Sequence, residues 1–451
     1  MEKQIKENKM GTMAPMRLLI SMSLPIMVSM FIQALYNIVD SIYVSQYSNN
    51  GLAALSLAFP IQMLMSAVGV GTAVGTYSLI SRCLGARRHE DAERAAGNGL
   101  TLATLSGLVF LVLGLLFTGP YMRAVSDNPE TVRLGEEYLS IVTVYGMGVF
   151  HSVMTEKMLQ ATGKTTLSMI TQIVGAATNI VLDPILIFGR YGFPELGVRG
   201  AAIATVIGQV LAMIAGIILV RRFNPELPVH FRHLRLRGET VRAIYVVGVP
   251  SIIMQAIGSL MTFLLNLILK QFSETAVSVL GAYFKLNSFV FMPIFGLNSG
   301  QTPIIGYNYG ARKKERIYAT LRSALLVGIA IMVVGTAVFE LIPDRMFMLF
   351  GSSEELLTIG VPAFRIIGLC FIPASVSIVL SGVFQGIGVG LYSMINSILR
   401  QIVLLLPAAW LLATFAGLDY VWFAFPIAET ISLVYMILMY RRADRKYISV
   451  L

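Results

Sequence analysis

Long apolar stretches, broken by Gly, Pro and charge clusters, recur twelve times along the chain. They cover residues 17–46, 52–83, 95–118, 137–157, 166–189, 200–220, 243–270, 276–308, 317–340, 357–384, 392–414 and 420–440. Runs such as 100–117 and 201–220 carry no charge at all. A helix rising ~1.5 Å per residue crosses ~30 Å of hydrocarbon in about 20 residues, so each stretch can span. Barrel strands would instead show segments of about ten alternating residues, and that pattern is missing from the sequence. The expected fold class is an all-α integral membrane protein of twelve transmembrane helices.

Composition agrees with the pattern. Of 451 residues, 56% are hydrophobic and 13% charged, against about 25% charged in soluble domains. A formal charge of +10 would suit nucleic acid, but its distribution points elsewhere. With the N-terminus in the cytoplasm, 25 of the 34 Lys and Arg fall on cytoplasmic segments, six outside, and Lys285, Arg365 and Arg400 within spans. The opposite orientation would violate the positive-inside rule. The expectation is a multi-pass protein of a bacterial plasma membrane, both termini cytoplasmic, monomeric, with no nucleic-acid partner. The polar start MEKQIKENKM, with no small-residue cleavage site after the first span, marks a retained helix rather than a signal peptide. Cys83 and Cys370 form neither a disulfide framework nor a metal-ligand spacing. No GxxxxGK[ST], HExxH or GxSxG occurs, so neither enzyme chemistry nor a cofactor is expected.

A shift of 225 residues lays one half of the chain on the other without a gap. Pro25 falls on Pro250, Gln46 on Gln271, Gly71 and Gly75 on Gly296 and Gly300, and LGARRHE at Leu84 on YGARKKE at Tyr309. The register still holds at Gln160/Gln385 and Gly163/Gly388. Six spans per copy make the repeats parallel, related by a pseudo-two-fold axis along the membrane normal. The expected organisation is an N-terminal lobe (1–220), a solvated cytoplasmic linker (221–242), and a C-terminal lobe with a basic tail (243–451). Two matched lobes rocking about a site between them is an arrangement typical of secondary transporters. Pro25 and Pro250 each remove a helix hydrogen bond, so a bend is expected at both, either static or changing during the cycle.

Acidic residues within spans are few, and a carboxylate at membrane depth is costly unless paired or hydrated. Asp40 lies seven residues before Tyr47, and Asp183 seven before Arg190; both are thus ~10 Å below the outer surface. Asn37 shares a face with Asp40, Asn179 shares one with Asp183, and Thr205 reaches a similar depth. Hard oxygen donors suit Na⁺, and a desolvated carboxylate pair suits proton carriage; a buried polar network that fixes helix packing is the alternative. Across the repeat, Asp40 becomes Leu265, Asn179 becomes Leu404 and Asp183 becomes Ala408, while Thr205 keeps Thr430. Acids needed merely to fold a lobe should appear in both. Glu429, with Lys285 or Arg400 as partner, reads as a structural network in the C-terminal lobe. His151 reads as packed, and Glu156 and Lys157 as interfacial at the cytoplasmic end of the fourth span.

Together, SLPIMVSMFIQALYNIVDSIYVS, GARRHE, QATG, NIVLDPILIFG, GLNSGQTPIIGYNYGAR and FPIAE resemble the multidrug and toxic compound extrusion (MATE) family over essentially the whole chain. The resemblance implies two six-helix lobes forming a V-shaped cavity, and antiport of H⁺ or Na⁺ against drug-like, often cationic compounds. It carries the family's cation site onto Asp40, Asn179, Asp183 and Thr205. Some branches use acids in spans seven and eight, and 241–272 and 276–308 contain none. Lipid-linked oligosaccharide flippases of the same superfamily are the alternative, and a non-transporting receptor or scaffold a further one.

Overall fold

The computed structural model describes residues 8–348 and 354–451. After a single helical turn at Lys9–Thr12 come α1 (Pro15–Tyr47), α2 (Asn49–Gly85) and α3 (His89–Val125). The fourth span is a pair, α4 (Pro129–Val144) and α5 (Met147–Ala161), followed by α6 (Thr165–Phe188) and α7 (Val198–Phe223). The second half repeats the series with α8 (Gly238–Lys270), α9 (Glu274–Gly310), α10 (Lys314–Leu341) and the pair α11 (Glu354–Gly368) and α12 (Phe371–Ile387). It ends with α13 (Leu391–Phe415) and α14 (Ala424–Ala443). Among the described residues ten helices are long and apolar enough to span, and the two pairs bring the number to twelve. Each of the twelve apolar stretches falls on one of these spans.

The repeat extends into backbone detail. The helix pairs α4–α5 and α11–α12 are bent by 48° and 47°. Ser48 caps α2 by accepting from Gly51 N at 3.2 Å, and Ser273, 225 residues on, caps α9 by accepting from Ala276 N at 3.1 Å. An N-cap oxygen satisfies an amide that the helix leaves unpaired. At the other ends Arg87 and Arg312 each take φ +56°, and the next residues close the turn: Arg88 N to Cys83 O and Lys313 N to Asn308 O, both 2.9 Å. This left-handed stop usually takes glycine. Two arginines at matching positions show that both copies keep the same strained turn.

The chain divides into two compact units, and not at the Arg221–Arg242 loop. One comprises Met1–Asn8 with Val28–Ile252, the other Lys9–Met27 with Ile253–Leu451. The cuts fall inside α1 and α8, two residues beyond Pro25 and Pro250, and the helix runs unbroken through each proline. In the first unit, a Cβ on Gly75 of α2 would lie 2.1 Å from the Ile244 carbonyl oxygen of α8. In the second, a Cβ on Gly300 of α9 would lie 2.3 Å from Ser23 Oγ of α1. Those glycines let the backbones meet, so each unit is completed by the opening turns of a helix whose remainder belongs to the other unit. Packing contact overrode chain contiguity.

Part of the 221–242 linker is anchored rather than solvated. Buried Asn98 of α3 donates to His233 O at 3.0 Å and to Arg235 O at 3.1 Å, and accepts from Arg237 N at 2.9 Å. His233, 2% exposed, lies 3.5 Å from Glu93 Oε2. Its burial holds the imidazole below its ordinary pKa, with Glu93 pulling the other way.

Candidate functional site

One group of polar side chains in the first unit lies where α1, α6 and α7 meet. In α6 the sequence NIVLDP places Asn179 and Asp183 one turn apart on the buried face, 3% and 0% exposed. The approach of α7 is set by Gly208, where a Cβ would lie 2.8 Å from Gly175 O. That close crossing brings Thr205 to Asn179. With its nitrogen toward Asp183, the Asn179 amide donates to Asp183 Oδ2 at 3.0 Å and accepts from Thr205 Oγ1 and Thr205 N, both at 3.3 Å. Both ends of the amide are then used. The Asp183 carboxyl is in turn hydrogen-bonded with that of Asp40 on α1. The other oxygen facing inward there, Asp40 Oδ1, is buried and receives no hydrogen bond from the described residues.

Asp40, Asn179, Asp183 and Thr205 therefore form one connected cluster. Asn37 does not join it: its side chain is exposed, and its carbonyl accepts from Ser41 Oγ at 2.8 Å. The i, i+3 spacing that Asn37 shares with Asp40 does not bring its side chain to the cluster.

Beside the cluster a small cavity of about 100 Å³ runs between α1, α5, α6 and α7. Asn179 and Thr205 line one end, Gln33 and Tyr36 line the α1 side, and Glu156 with Gln172 lines the other end. Glu156 and Lys157 are buried among neighbouring helices, each 8% exposed. Gln172 of α6 bonds Glu156, and the Tyr77 ring of α2 lies beside the Lys157 ammonium. Glu156 accepts from Gln160 at 2.7 Å and from Gln172 at 2.5 Å, and Gln160 also accepts from Lys157 at 2.8 Å. These residues had a signal in the sequence. The same 225-residue shift turns Glu156 into Ser381, Gln172 into Ser397 and Gln209 into Val434, the one-sided pattern that singles out Asp40 and Asp183.

His151 is packed between a hydroxyl and a carbonyl, Thr104 Oγ1 and Met147 O, each at 3.1 Å. In the second unit Arg400 bonds Glu429 at 2.7 Å. Arg400 sits in a π-helical segment of α13, Leu399–Leu405, whose extra residue per turn swings it toward α14. Lys285 lies on α9 of the same unit.

The pattern that defines the MatE family matches residues 25–185 and again residues 250–411. The two matches begin 225 residues apart, at the two prolines. The chain belongs to the MATE family. Its relatives include the multidrug export protein MepA of Staphylococcus aureus (strain bovine RF122 / ET3-1), 26% identical over 428 residues that cover 94% of this chain and 93% of that one. MepA of Staphylococcus haemolyticus (strain JCSC1435) is also 26% identical, with the same coverage. Among solved structures, a multidrug resistance MATE family transporter in its outward-facing conformation is 27% identical. It superposes with a TM-score of 0.91 over 99% of both chains. This MATE protein is a multi-pass membrane transporter and not an enzyme.

Proposed function

We propose that this transporter exports drug-like organic compounds by antiport, driven by inward H⁺ or Na⁺ bound at Asp40, Asp183, Asn179 and Thr205. The observation that carries the reading is the pairing of two carboxyls at membrane depth in one unit only, one of them with an oxygen left without a donor. Two bare carboxylates in contact repel, so a proton or a small cation has to lie between them. The oxygens of Asn179 and Thr205 complete a hard donor set of the kind Na⁺ accepts. The relatives are named as multidrug exporters, which supports the substrate class. The basic loops support an orientation with both termini in the cytoplasm.

At ~100 mV, one net elementary charge moving inward per cycle supplies ~2.3 kcal/mol, enough for a roughly 50-fold concentration ratio of an uncharged substrate; a monovalent cation exchanged one for one is driven by the ion's concentration gradient alone. Antiport also requires that ion and drug favour different conformations. Wild-type protein in liposomes should move ethidium against its gradient when a pH or sodium gradient is imposed, and the effective gradient identifies the ion. Asp40→Asn should bind ethidium yet lose gradient-driven accumulation. Full accumulation by that variant would end the assignment. Movement of a labelled lipid headgroup in place of the dye would favour the flippase.

A further inference from the structure

We propose that the end of α14 and the tail that follows it form a binding site for the phosphate headgroup of an anionic glycerophospholipid. The inference needs only that the chain spans a membrane, and it is independent of the transported compound. Leu438, Arg441, Arg442, Arg445 and Lys446 surround one shallow recess. Steps of three and four residues put them on one face of the helix. The four cations are exposed. Among the described residues none of them is ion-paired; Lys446 rests over the Tyr447 ring at 5.2 Å.

The cationic face continues an apolar one. Ile431, Val434 and Leu438 are exposed, and their spacing keeps them in line with the recess. Apolar side chains exposed on a membrane span meet acyl chains, which are as apolar as they are. From Ala424 to Tyr440 the helix rises ~25 Å, most of the ~30 Å of hydrocarbon, so the cations begin at the headgroup layer. The opposite side is anchored. Ala443 and Ile448 are buried, and Asp444, the one acid in 441–451, accepts from Tyr318 Oη of α10 at 2.7 Å. A π-helical segment, Asp444–Ile448, carries the helix on past α14, so the recess is held in place and its nearest carboxylate is engaged elsewhere. The repeat supplies a control. At the same offset Arg441, Arg442, Arg445 and Lys446 become Gly216, Ile217, Val220 and Arg221, so the first copy ends its last span with one cation at these positions. Guanidinium forks match phosphate oxygens in pairs. Leu438 beneath them suits the first methylenes of an acyl chain, which a free phosphate lacks.

The test is native mass spectrometry of the detergent-solubilised full chain, titrated with phosphatidylglycerol or with phosphatidylcholine of the same acyl chains. Wild type should hold one phosphatidylglycerol roughly tenfold or more tightly than phosphatidylcholine. Each cation at an anionic headgroup contributes about fivefold. Arg441→Gln with Arg445→Gln should therefore lower phosphatidylglycerol affinity roughly tenfold or more and leave phosphatidylcholine unchanged. Arg441→Lys with Arg445→Lys should retain the preference. Arg221→Gln with Arg222→Gln removes the same charge from the end of α7 and should change nothing. Equal affinity for the two lipids, or equal losses from the two glutamine pairs, overturns the proposal. So does displacement of phosphatidylglycerol by millimolar glycerol 3-phosphate, which would mark a site for a free phosphate. Should the Arg441/Arg445 glutamine pair not fold, Lys446→Gln alone should cost about fivefold, and wild-type affinity in that variant overturns the assignment.

Discussion

The crossing of α6 and α7 admits a quantitative test, because two glycines face each other there with unequal room. A Cβ on Gly208 would stand 2.8 Å from Gly175 O, whereas one on Gly175 would stand 3.2 Å from Ala212 Cβ and 3.3 Å from Gly208 O. Ordinary contact begins at 3.4 Å. Gly208→Ala must therefore push the helices apart by about 0.6 Å, against about 0.2 Å for Gly175→Ala. Overpacking of the larger kind costs about 1–3 kcal/mol, while Ala in place of a mid-helix Gly returns roughly 0.5–1 kcal/mol. Gly175→Ala should come out neutral or slightly stabilising, and Gly208→Ala destabilised by about 1–2 kcal/mol.

The same displacement reaches the site. Asn179 and Thr205 are bonded at 3.3 Å, and a 0.6 Å separation stretches that to about 3.9 Å, beyond hydrogen-bonding distance. Gly208→Ala should thus lower the unfolding temperature in a tryptophan-fluorescence melt and weaken ion-driven ethidium accumulation, while Gly175→Ala does neither. Equal behaviour of the two variants, or a Gly208→Ala protein with wild-type melting and transport, would refute the geometry of the crossing.

Two further outcomes follow from the ionisable groups outside this cluster. Arg400→Met should destabilise by about 3–5 kcal/mol because it strands the Glu429 carboxylate, whereas Arg400→Met with Glu429→Leu should recover most of that; chemical-denaturation melts of both report the difference. His233 is held neutral in its docked loop, so protonation opposes docking. The loop should be fully docked above the imidazole's ordinary pKa of about 6.5 and loosen as pH falls below it. Hydrogen exchange at 234–237 should rise between pH 7.5 and 5.5, and His233→Asn should flatten that dependence.

The twelve spans and their duplication were readable because each depends on local properties: apolar length, and residue identity at a fixed offset. The cluster of Asp40, Asn179 and Asp183 was readable for a similar reason, since helical rise sets depth and the repeat supplies a control. Direction was harder. Asn37 has the right depth on α1 but its side chain is exposed, a matter of how a helix is rotated about its axis, and tertiary packing decides that. Glu156 lies near the end of its span, and its burial depends on a neighbouring helix, α6, whose Gln172 bonds it; the 48° break in that span lies ten residues before it. The break itself has no proline, only Gly146 as N-cap of α5. The division within α1 and α8 likewise leaves no local mark beyond Pro25 and Pro250, because it is defined by residues distant in sequence.

The shared helices have a consequence for biogenesis. A nascent chain emerging from the ribosome cannot finish its first bundle until residues up to Ile252 have entered the translocon, well after the hydrophilic loop that looks like the natural seam. The opening turns at Lys9–Met27, by contrast, are synthesised at once and must wait until residues 296–316 are made before they find neighbours such as Leu297, Asn308 and Arg316. A gene severed at codon 230 would yield two fragments, each lacking a piece the other holds, so co-expression rather than either fragment alone should restore protease-resistant protein.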